Sequence, residues 1–208
     1  MRVLVVDYGT GNHGSVVRSF EECGARVLVS NNPQSISGAD RIVIPGVGAF
    51  GDAMDTLRRT GWRDALHRAS LEDQIPILGI CLGMQLLADY GDERGGTDGL
   101  GLIGGRACRL NNAQGERLPH VGWNEVHSTS DSALFRHIAP GTDFYFVHSY
   151  HLAADDAANV IATTPYCGVF GSAVARDNIF GVQFHPEKSS KAGLQLIRNF
   201  LSVSPRDT

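Results

Sequence analysis

The sequence predicts an α/β protein in which helices flank an open, mainly parallel sheet, with antiparallel additions in the C-terminal half. The first half of the 208-residue chain alternates short apolar runs with segments of helical periodicity. The apolar runs at 3–6 and 42–44 are continuous, which is typical of parallel strands covered on both faces. From about residue 105, strand-like runs follow one another with few helices between them, which favours hairpins.

The elements of the first half follow from two periodicities. Apolar runs of strand length predict the strands, and apolar residues three or four positions apart predict the helices. The expected strands cover residues 2–7, 26–30, 41–44 and 75–80, and the expected helices cover residues 12–23, 50–60 and 82–90.

The second half adds further strands and a closing helix. Strands are expected at residues 106–110, 121–127, 143–149, 159–164, 168–175 and 179–184. The closing helix covers residues 189–201, and its apolar face consists of Leu194, Ile197 and Leu201. Ligands of such sheets bind beyond the carboxyl ends of the strands. The residues expected at these ends are Asp7, Pro45, Cys81 and His185.

Composition indicates a single globular domain over residues 1–208. A net charge of −4 gives no support for nucleic acid or an anionic membrane as a partner. No segment approaches transmembrane length, and the N-terminal apolar run, stopped by Asp7, is too short for a signal peptide. The cysteines lack zinc-ligand spacing and suit a reducing cytosol, so we expect a cytoplasmic protein without a metal or a cofactor.

Residues 79–83 read Gly-Ile-Cys-Leu-Gly and lie between an apolar strand and a helix. A nucleophile on such a turn is raised above the carboxyl edge of the sheet. The helix N-terminus would favour the thiolate of Cys81 over the thiol, and the N–H of Leu82 would point to a developing oxyanion. We expect the two glycines to permit the sharp bend and the close approach of a substrate.

A second motif, His185-Pro186-Glu187, directly follows the last expected strand. Pro186 cannot continue a sheet ladder, so the strand is expected to stop at His185. His185 and Glu187 are close enough in sequence to meet around the turn. Since a thiolate nucleophile needs a base, and the base needs an orienting group, the chain order predicted here is nucleophile, base and acid.

Each of these residues alone has a plainer interpretation: a buried core cysteine, a strand-end histidine and a solvated loop glutamate. In combination they resemble the class I glutamine amidotransferases, which are Cys-His-Glu amidases with Gly-x-Cys-x-Gly and His-Pro-Glu signatures. The resemblance covers nearly the whole chain and is sharpest to one branch, the glutaminase subunits of imidazole glycerol phosphate synthases from histidine biosynthesis. The stretches that carry it lie at residues 7–12, 45–51, 79–85, 119–124, 145–150 and 182–189.

The resemblance implies a reaction and the residues that perform it. Glutamine would be hydrolysed to glutamate and ammonia through a thioester, with a catalytic triad formed by Cys81, His185 and Glu187. Two N–H donors would stabilise the oxyanion, one from Leu82 and one from the loop after the third strand. The oxyanion hole would therefore consist of Leu82 with Val47 or Gly48.

The resemblance also implies where glutamine binds. Its amino-acid end would be held by Gln85, Glu93 and the backbone at Ser149 and Tyr150. Gln85 lies four residues after Cys81, so the two share a helix face. Glu93 lies just past that helix, and a solvated loop charge is the alternative there. The remaining candidates, His120, His148 and His151, are interpreted as strand or turn histidines.

The ammonia needs a recipient, because the sequence shows no second active site, phosphate loop or nucleotide motif. By resemblance, the partner is the cyclase subunit of imidazole glycerol phosphate synthase, a (β/α)8 barrel, in a heterodimer. Together they would form imidazole glycerol phosphate and an aminoimidazole carboxamide ribotide. The interface candidates are Asn12, Trp123 and Lys188, with core packing as the alternative for Trp123 and a solvated charge for Lys188.

Other functions remain open at this point. The chain could be the glutaminase subunit of another ammonia-channelling synthase, a distinction that rests on resemblance alone. Gly-x-Gly-x-x-Gly matches at 9–14 and 46–51 suggest a dinucleotide-binding α/β protein, but no acid follows the strand at 26–30 to hold a ribose. A catalytically inactive binding module would make the cysteine, histidine and glutamate motifs coincidental. Cofactor absorbance of the purified protein would favour the dinucleotide-binding protein, and glutamine hydrolysis would favour an amidase. The absence of both would leave the binding module.

Overall fold

A computed structural model describes residues 1–9, 11–113, 115–129 and 132–203. The strands are β1 (Arg2–Val6), β2 (Arg26–Ser30), β3 (Arg41–Ile44), β4 (Ile77–Ile80), β5 (Tyr90–Gly91), β6 (Thr97–Asp98), β7 (Gly105–Arg109), β8 (His120–Ser128), β9 (Thr142–His148), β10 (Tyr150–Ala154), β11 (Val160–Pro165), β12 (Val169–Arg176) and β13 (Ile179–Val182). The helices are α1 (His13–Glu22), α2 (Phe50–Arg59), α3 (Trp62–Leu71), α4 (Leu82–Leu86) and α5 (Ser190–Ser202). Short 3-10 turns lie at Pro33–Ile36, Glu93–Gly95, Ala133–Phe135, Ala157–Asn159 and Pro186–Lys188.

Within the described ranges, nine strands form one large sheet in the order β2-β1-β3-β4-β13-β12-β11-β8-β9. The first five strands of this order are parallel, and each later strand is antiparallel to its neighbour. The predicted fold class, a mainly parallel sheet with antiparallel additions, is therefore confirmed. Because β1, β3, β4 and β13 run in the same direction, their carboxyl ends meet at one edge of the sheet.

Helices cover both faces of the parallel half. On one face, Phe20 of α1 and Phe200 of α5 belong to a common core. On the other face, Met54 of α2 and Trp62 of α3 pack in a second core. All residues of β4 and β13, between the two layers, are buried. Full burial of each large apolar side chain contributes about 1.5–3 kcal/mol, so the strand ends project from a firmly packed support.

A second sheet, β10-β7-β5-β6, is not predicted by the sequence. Ser149 alone separates β9 from β10, so no turn signal marks the point at which the chain passes from the large sheet to the small one. Strands β5 and β6 contain two residues each, which is too short to show a periodicity.

The expected helix over residues 82–90 is wrong, because α4 ends at Leu86. The carbonyls that a longer helix would use internally accept hydrogen bonds from a following loop. Leu100 N donates to Leu86 O at 2.8 Å, and Leu102 N donates to Leu87 O at 2.9 Å. The segment that reads as a continuous amphipathic helix is therefore a short helix closed by tertiary contacts.

Three smaller differences concern the ends of elements. Helix α3 follows Gly61 in the left-handed region and was not expected. Strand β4 begins at Ile77 rather than residue 75, and β13 ends at Val182 rather than at His185. The other expected bounds agree with the structure to within one residue. No helix among the described residues is long and apolar enough to cross a membrane.

Candidate active site

Cys81 lies at the turn between β4 and α4 with φ 56° and ψ −109°, a conformation that side-chain-bearing residues rarely adopt. Main-chain hydrogen bonds hold it on both sides. Cys81 N donates to Val182 O at 2.8 Å, and Met84 N donates to Cys81 O at 3.1 Å. The bend expected of the neighbouring glycines is thus made by the cysteine itself, as in a nucleophile elbow.

Gly79 and Gly83 serve close packing, which corrects the expectation that they bend the chain and admit the substrate. Both are buried and neither has a positive φ. A Cβ on Gly79 would lie 2.5 Å from Gly83 O, and a Cβ on Gly83 would lie 1.8 Å from Ile44 O. Only glycine therefore lets α4 begin directly against β3 and β4.

His185 and Glu187 meet around the turn at Pro186, as the spacing predicts. His185 Nδ1 lies 2.8 Å from Glu187 Oε1, and both side chains are almost completely buried. Since a buried carboxylate accepts here, Nδ1 carries the proton and Nε2 is the free position. Nε2 is buried and makes no hydrogen bond of normal geometry among the described residues.

The environment of His185 favours its protonated form. Burial, the largest influence, lowers the pKa of His185, but interactions with Cys81 and Glu187 together outweigh it and raise the pKa to about 9. The thiol of Cys81, the imidazole of His185 and the carboxylate of Glu187 therefore influence one another electrostatically at the carboxyl edge.

The turn that carries His185 is fixed to the neighbouring strand β9. His185 N donates to Tyr145 O at 2.8 Å, and Ser189 Oγ donates to His185 O at 2.6 Å. The same Ser189 Oγ accepts from Tyr145 N at 3.0 Å. These bonds replace the ladder that β13 leaves at Val182 and position the imidazole.

The loop between β3 and α2 lies opposite the cysteine and is held at both ends. At its start, Tyr8 Oη donates to Pro45 O at 2.6 Å. At its end, Phe50 N, the first N–H of α2, donates to Glu93 Oε2 at 2.8 Å. Between these points Gly48 has φ +106°, and the space around its Cβ position is empty.

Cys81 and the predicted oxyanion and substrate residues share one cavity of about 330 Å³, whereas His185 and Glu187 are not part of its lining. Its lining consists of Val47, Gly48, Cys81, Leu82, Gln85, Glu93, Val147, His148, Ser149 and Tyr150. As the first helical residue of α4, Leu82 has an N–H without an acceptor inside the helix. The cavity thus combines a nucleophile, backbone donors, a carboxylate and an amide side chain.

Gln183 is a site residue that sequence reasoning did not single out. It is completely buried, and its Nε2 lies 3.7 Å from Cys81 Sγ while its Oε1 lies 3.1 Å from Gln85 Nε2. Gln85 Nε2 also donates to Tyr150 O at 2.8 Å. The signal available in the sequence was a glutamine within an otherwise apolar run that leads to the His-Pro-Glu motif.

The carbonyl of Tyr150 is used inside the protein, which refines the expected role of this backbone segment. It accepts from Gln85 Nε2 and from His148 Nδ1, so both of its lone pairs are engaged. Ser149 O likewise accepts from Leu110 N at 2.9 Å. At these two residues the carbonyls therefore shape the cavity.

The three interface candidates lie on the surface outside the cavity lining. Asn12 and Lys188 are exposed, and Trp123 is 53% exposed, which excludes core packing for Trp123. Lys188 Nζ lies 5.6 Å from the ring centroid of Tyr145, and the Trp123 ring lies 6.1 Å from the same ring. Trp123, Tyr145 and Lys188 form a continuous surface beside the turn that carries His185.

Comparison with known proteins assigns the family. The model of class I glutamine amidotransferases matches residues 4–203. This chain belongs to the class I glutamine amidotransferase family. It is similar to imidazole glycerol phosphate synthase subunit HisH of Chlorobaculum tepidum, with 44% identity over 95% of this chain and 98% of the relative. The corresponding subunit of Methylococcus capsulatus is 46% identical over 98% of this chain and 97% of that relative.

Solved structures of lower identity share the fold. A crystal structure of a glutamine amidotransferase has a TM-score of 0.75 at 18% identity and covers 95% of this chain and 96% of its own. The structure of PurLQS from Thermotoga maritima has a TM-score of 0.75 at 20% identity and covers 96% of this chain and 97% of that chain. The identity is about twice as high to the HisH subunits as to these structures, and the family membership decides against dinucleotide binding.

Proposed function

We propose that this chain is the glutaminase subunit of an imidazole glycerol phosphate synthase. It hydrolyses glutamine to glutamate and ammonia and passes the ammonia to a cyclase subunit. One observation carries the assignment of roles: Cys81 lines a cavity with Leu82, Val47 and Gly48, and the imidazole whose pKa Cys81 raises is hydrogen-bonded to Glu187. The similarity to HisH subunits over nearly the whole chain supports this choice among amidotransferases.

In the first half-reaction the Cys81 thiolate attacks the side-chain amide carbon of glutamine. The carbonyl oxygen becomes an oxyanion, which accepts hydrogen bonds from the N–H of Leu82 and from a peptide at Val47 or Gly48. His185 Nε2 donates a proton to the departing nitrogen, so ammonia leaves as the thioester forms. The raised pKa of His185 suits this acid role, because the imidazole is protonated at neutral pH.

In the second half-reaction His185, now neutral, accepts a proton from water as the water attacks the thioester carbon. Collapse of the second oxyanion releases glutamate and returns the thiolate beside the imidazolium. Glu187 holds the Nδ1–H tautomer throughout and stabilises the cationic form. The same oxyanion donors serve both steps.

Glutamine binds with its amide at Cys81 and its amino-acid end deeper along the cavity wall. Gln85 and Glu93 offer an acceptor oxygen and a carboxylate to the α-ammonium group. Backbone and side-chain donors at Ser149 and Tyr150 face the α-carboxylate. Glu93 has one carboxylate oxygen on Phe50 N, which leaves the other for the substrate.

The ammonia must be used before water protonates it, so the recipient docks over the cavity. The partner is a cyclase subunit with a (β/α)8 barrel fold, and the two form a heterodimer in the cytoplasm. The whole chain, 1–208, acts as one amidotransferase domain. Asn12, Trp123 and Lys188 contribute to the interface on the carboxyl edge.

The proposal is tested by separating the two halves of the reaction. Cys81→Ala in an assembled complex with the cyclase should abolish glutamine-dependent synthesis while ammonia-dependent synthesis continues at the wild-type rate. The matched control is Cys108→Ala, which removes a half-buried thiol outside the cavity and should preserve both activities. Failure of added ammonia to restore turnover in an intact Cys81→Ala complex would refute the division of labour.

A further inference from the structure

Two buried histidines outside the triad form a polar pair at the wall of the glutamine cavity, and one of them, His148, lines the cavity. His120 lies on β8 and His148 ends β9, and both are less than a tenth exposed. Their rings pack among aromatic side chains. The ring centroids of His120 and Tyr166 are stacked 3.8 Å apart, and those of His148 and Phe170 are 5.1 Å apart. Apolar packing alone would not require imidazoles, so their polar contacts decide what they do.

The two rings belong to one continuous chain of hydrogen bonds. Asn124 Nδ2 lies 3.2 Å from His120 Nε2, and His120 Nδ1 lies 2.9 Å from His148 Nε2. His148 Nδ1 lies 2.8 Å from Tyr150 O. All four imidazole nitrogens are therefore engaged within the described residues, and the chain ends on a carbonyl at the cavity wall.

The carbonyl end fixes one polarity. Tyr150 O can only accept, so His148 Nδ1 must carry a proton. If His148 is neutral, its Nε2 is an acceptor and His120 Nδ1 must donate to it. If His148 is instead a cation, His120 Nδ1 must accept and the proton of a neutral His120 moves to its Nε2.

The asparagine end decides between these possibilities independently. Asn124 Nδ2 also donates to Pro165 O at 3.2 Å, and Asn124 Oδ1 accepts from Glu125 N at 2.9 Å, so the amide cannot be turned round. His120 Nε2 therefore faces a donor and must accept. Only two neutral rings, each with its proton on Nδ1, satisfy both ends. Burial, which lowers the pKa of His120 to about 4 and of His148 to about 3, agrees with this state.

The chain of hydrogen bonds continues from the Tyr150 carbonyl into the cavity through Gln85. One Nε2 hydrogen of Gln85 points to Tyr150 O and the other to Gln183 Oε1. With both hydrogens used, Oε1 is the polar atom of Gln85 that is left to face the cavity it lines. The position of the Tyr150 carbonyl therefore determines where an acceptor is presented to the substrate.

We propose that His120 and His148 are positioning residues that hold the Tyr150 carbonyl, and through it Gln85 Oε1, against the ammonium end of glutamine. The inference rests on the proposed function and deepens it. The pair acts on ground-state binding of the amino-acid end. It leaves Cys81 and His185 to perform the chemistry at the amide.

The first test reads the hydrogen-bond polarity directly. Imidazole nitrogen NMR shifts of His120 and His148 in the purified chain should report neutral rings protonated at Nδ1 across pH 6 to 8. This tautomer is the minor one of free histidine, so a structural packing role would not impose it. Rings protonated at Nε2, or at both nitrogens, would overturn the inference.

The second test uses kinetics in the assembled complex. His148→Phe keeps the ring packing and removes both hydrogen bonds, so KM for glutamine should rise about tenfold while kcat changes less than about twofold, the loss of about one hydrogen bond in binding. His148→Gln, whose amide can again donate to Tyr150 O, should recover part of this loss. His151→Phe is the matched control. The His151 ring also packs on Phe170 but takes no part in the chain of hydrogen bonds from Asn124 to Tyr150, so KM of this variant should stay at the wild-type value.

The outcomes separate this inference from the proposed function. A wild-type complex that hydrolyses glutamine, with an unchanged KM in folded His148→Phe and in folded His120→Asn, would overturn the positioning role alone. Equal increases in KM with His148→Phe and His151→Phe would reduce the role to packing. A wild-type complex without glutaminase activity would refute the proposed function and this inference with it.

Discussion

Cys81 has a strained backbone conformation at the position where it lines the cavity. A φ of 56° with a side chain costs on the order of 1–3 kcal/mol, and such strain persists only where the surroundings determine it. Here the N–H and the carbonyl of Cys81 are both bound to the backbone. The neighbouring Gly79 and Gly83 permit the packing that prevents relaxation. The strained turn therefore keeps Cys81, which is only 6% exposed, in the lining of the cavity.

Titration of His185 gives the first prediction at this scale. The pKa of His185 lies near 9, so the imidazolium that would protonate the departing amide nitrogen is lost as the pH rises through 9. Glutamine turnover should accordingly fall on the alkaline side. Glu187→Gln removes one of the interactions that raise the pKa, so its alkaline limb should move to lower pH, as measured in pH–rate profiles of thioester formation.

The same pair of residues predicts a ranking. His185→Ala removes the acid and base, whereas Glu187→Gln preserves the imidazole and weakens only its orientation, so it should retain more activity. Circular dichroism of both variants controls for folding. An alkaline limb at the same pH in wild type and Glu187→Gln, or equal losses in the two variants, would contradict the role assigned to Glu187.

At the scale of elements, the loop between β3 and α2, which is the proposed oxyanion loop, is a short segment held at both ends. Tyr8 holds its first carbonyl, and Glu93 holds the first N–H of the helix that follows. Glu93 also lines the cavity, so the proposed binding of the substrate ammonium and the position of the loop would depend on the same carboxylate. The freedom of the loop is therefore concentrated at Gly48, the one residue between its ends with a positive φ.

Gly48→Ala tests this element. No atom lies within 4 Å of the new Cβ, so the cost comes from the backbone, which at φ +106° disfavours a side chain by about 1 kcal/mol. We expect the loop to relax toward negative φ, rotate a donor away from the oxyanion and lower kcat roughly tenfold to a hundredfold. Gly24→Ala is the matched control, because its φ is +87° and its Cβ space is also empty, but it lies in the turn after α1. Equal activity in both variants would exclude Gly48 from the oxyanion hole.

The elements differ in how far the sequence could predict them. Parallel strands such as β3 and β4 are buried on both faces, so their apolar runs identify them. Helix α4 could not be delimited, because its end is decided by hydrogen bonds from residues 99–103 rather than by its own sequence. The small sheet was also beyond local patterns, since β5 gains its partners only when the chain is folded.

The site divides in the same way. Cys81, His185 and Glu187 are recognisable because their motifs combine unusual residues with turn signals. Gln183 and His148 lack such signals. Gln183 meets Cys81, 102 residues away in sequence, and His148 meets His120, 28 residues away, so only the fold creates these contacts. Local motifs therefore identify the proposed reacting groups, whereas the groups proposed to position them are recognisable only in the tertiary structure.

At the scale of the molecule, the two halves of the sheet contribute different parts of one site. The parallel half supplies Cys81, the loop between β3 and α2, and His185, all at its carboxyl edge. The antiparallel half supplies Val147 to Tyr150 as the opposite wall. Strand β8 lies beside that wall, because Val121 is paired with Val147, and it carries the exposed Val121 and Trp123. An apolar surface at the mouth of an ammonia-producing cavity suits a partner that receives the ammonia.

Docking of the cyclase on this edge is the last prediction. Hydrogen exchange of the chain with and without the cyclase should show protection at Asn12, Trp123 and Lys188, and no change along α3. Trp123→Ala should weaken the complex at least tenfold, because an exposed aromatic ring beside Tyr145 and Lys188 can fill a pocket on the partner. Leu71→Ala provides the control, since Leu71 is 55% exposed and Trp123 is 53% exposed, but Leu71 ends α3. Protection confined to α2 and α3, or equal affinities of the two variants, would place the partner on a different face and leave the ammonia without a recipient at the cavity mouth.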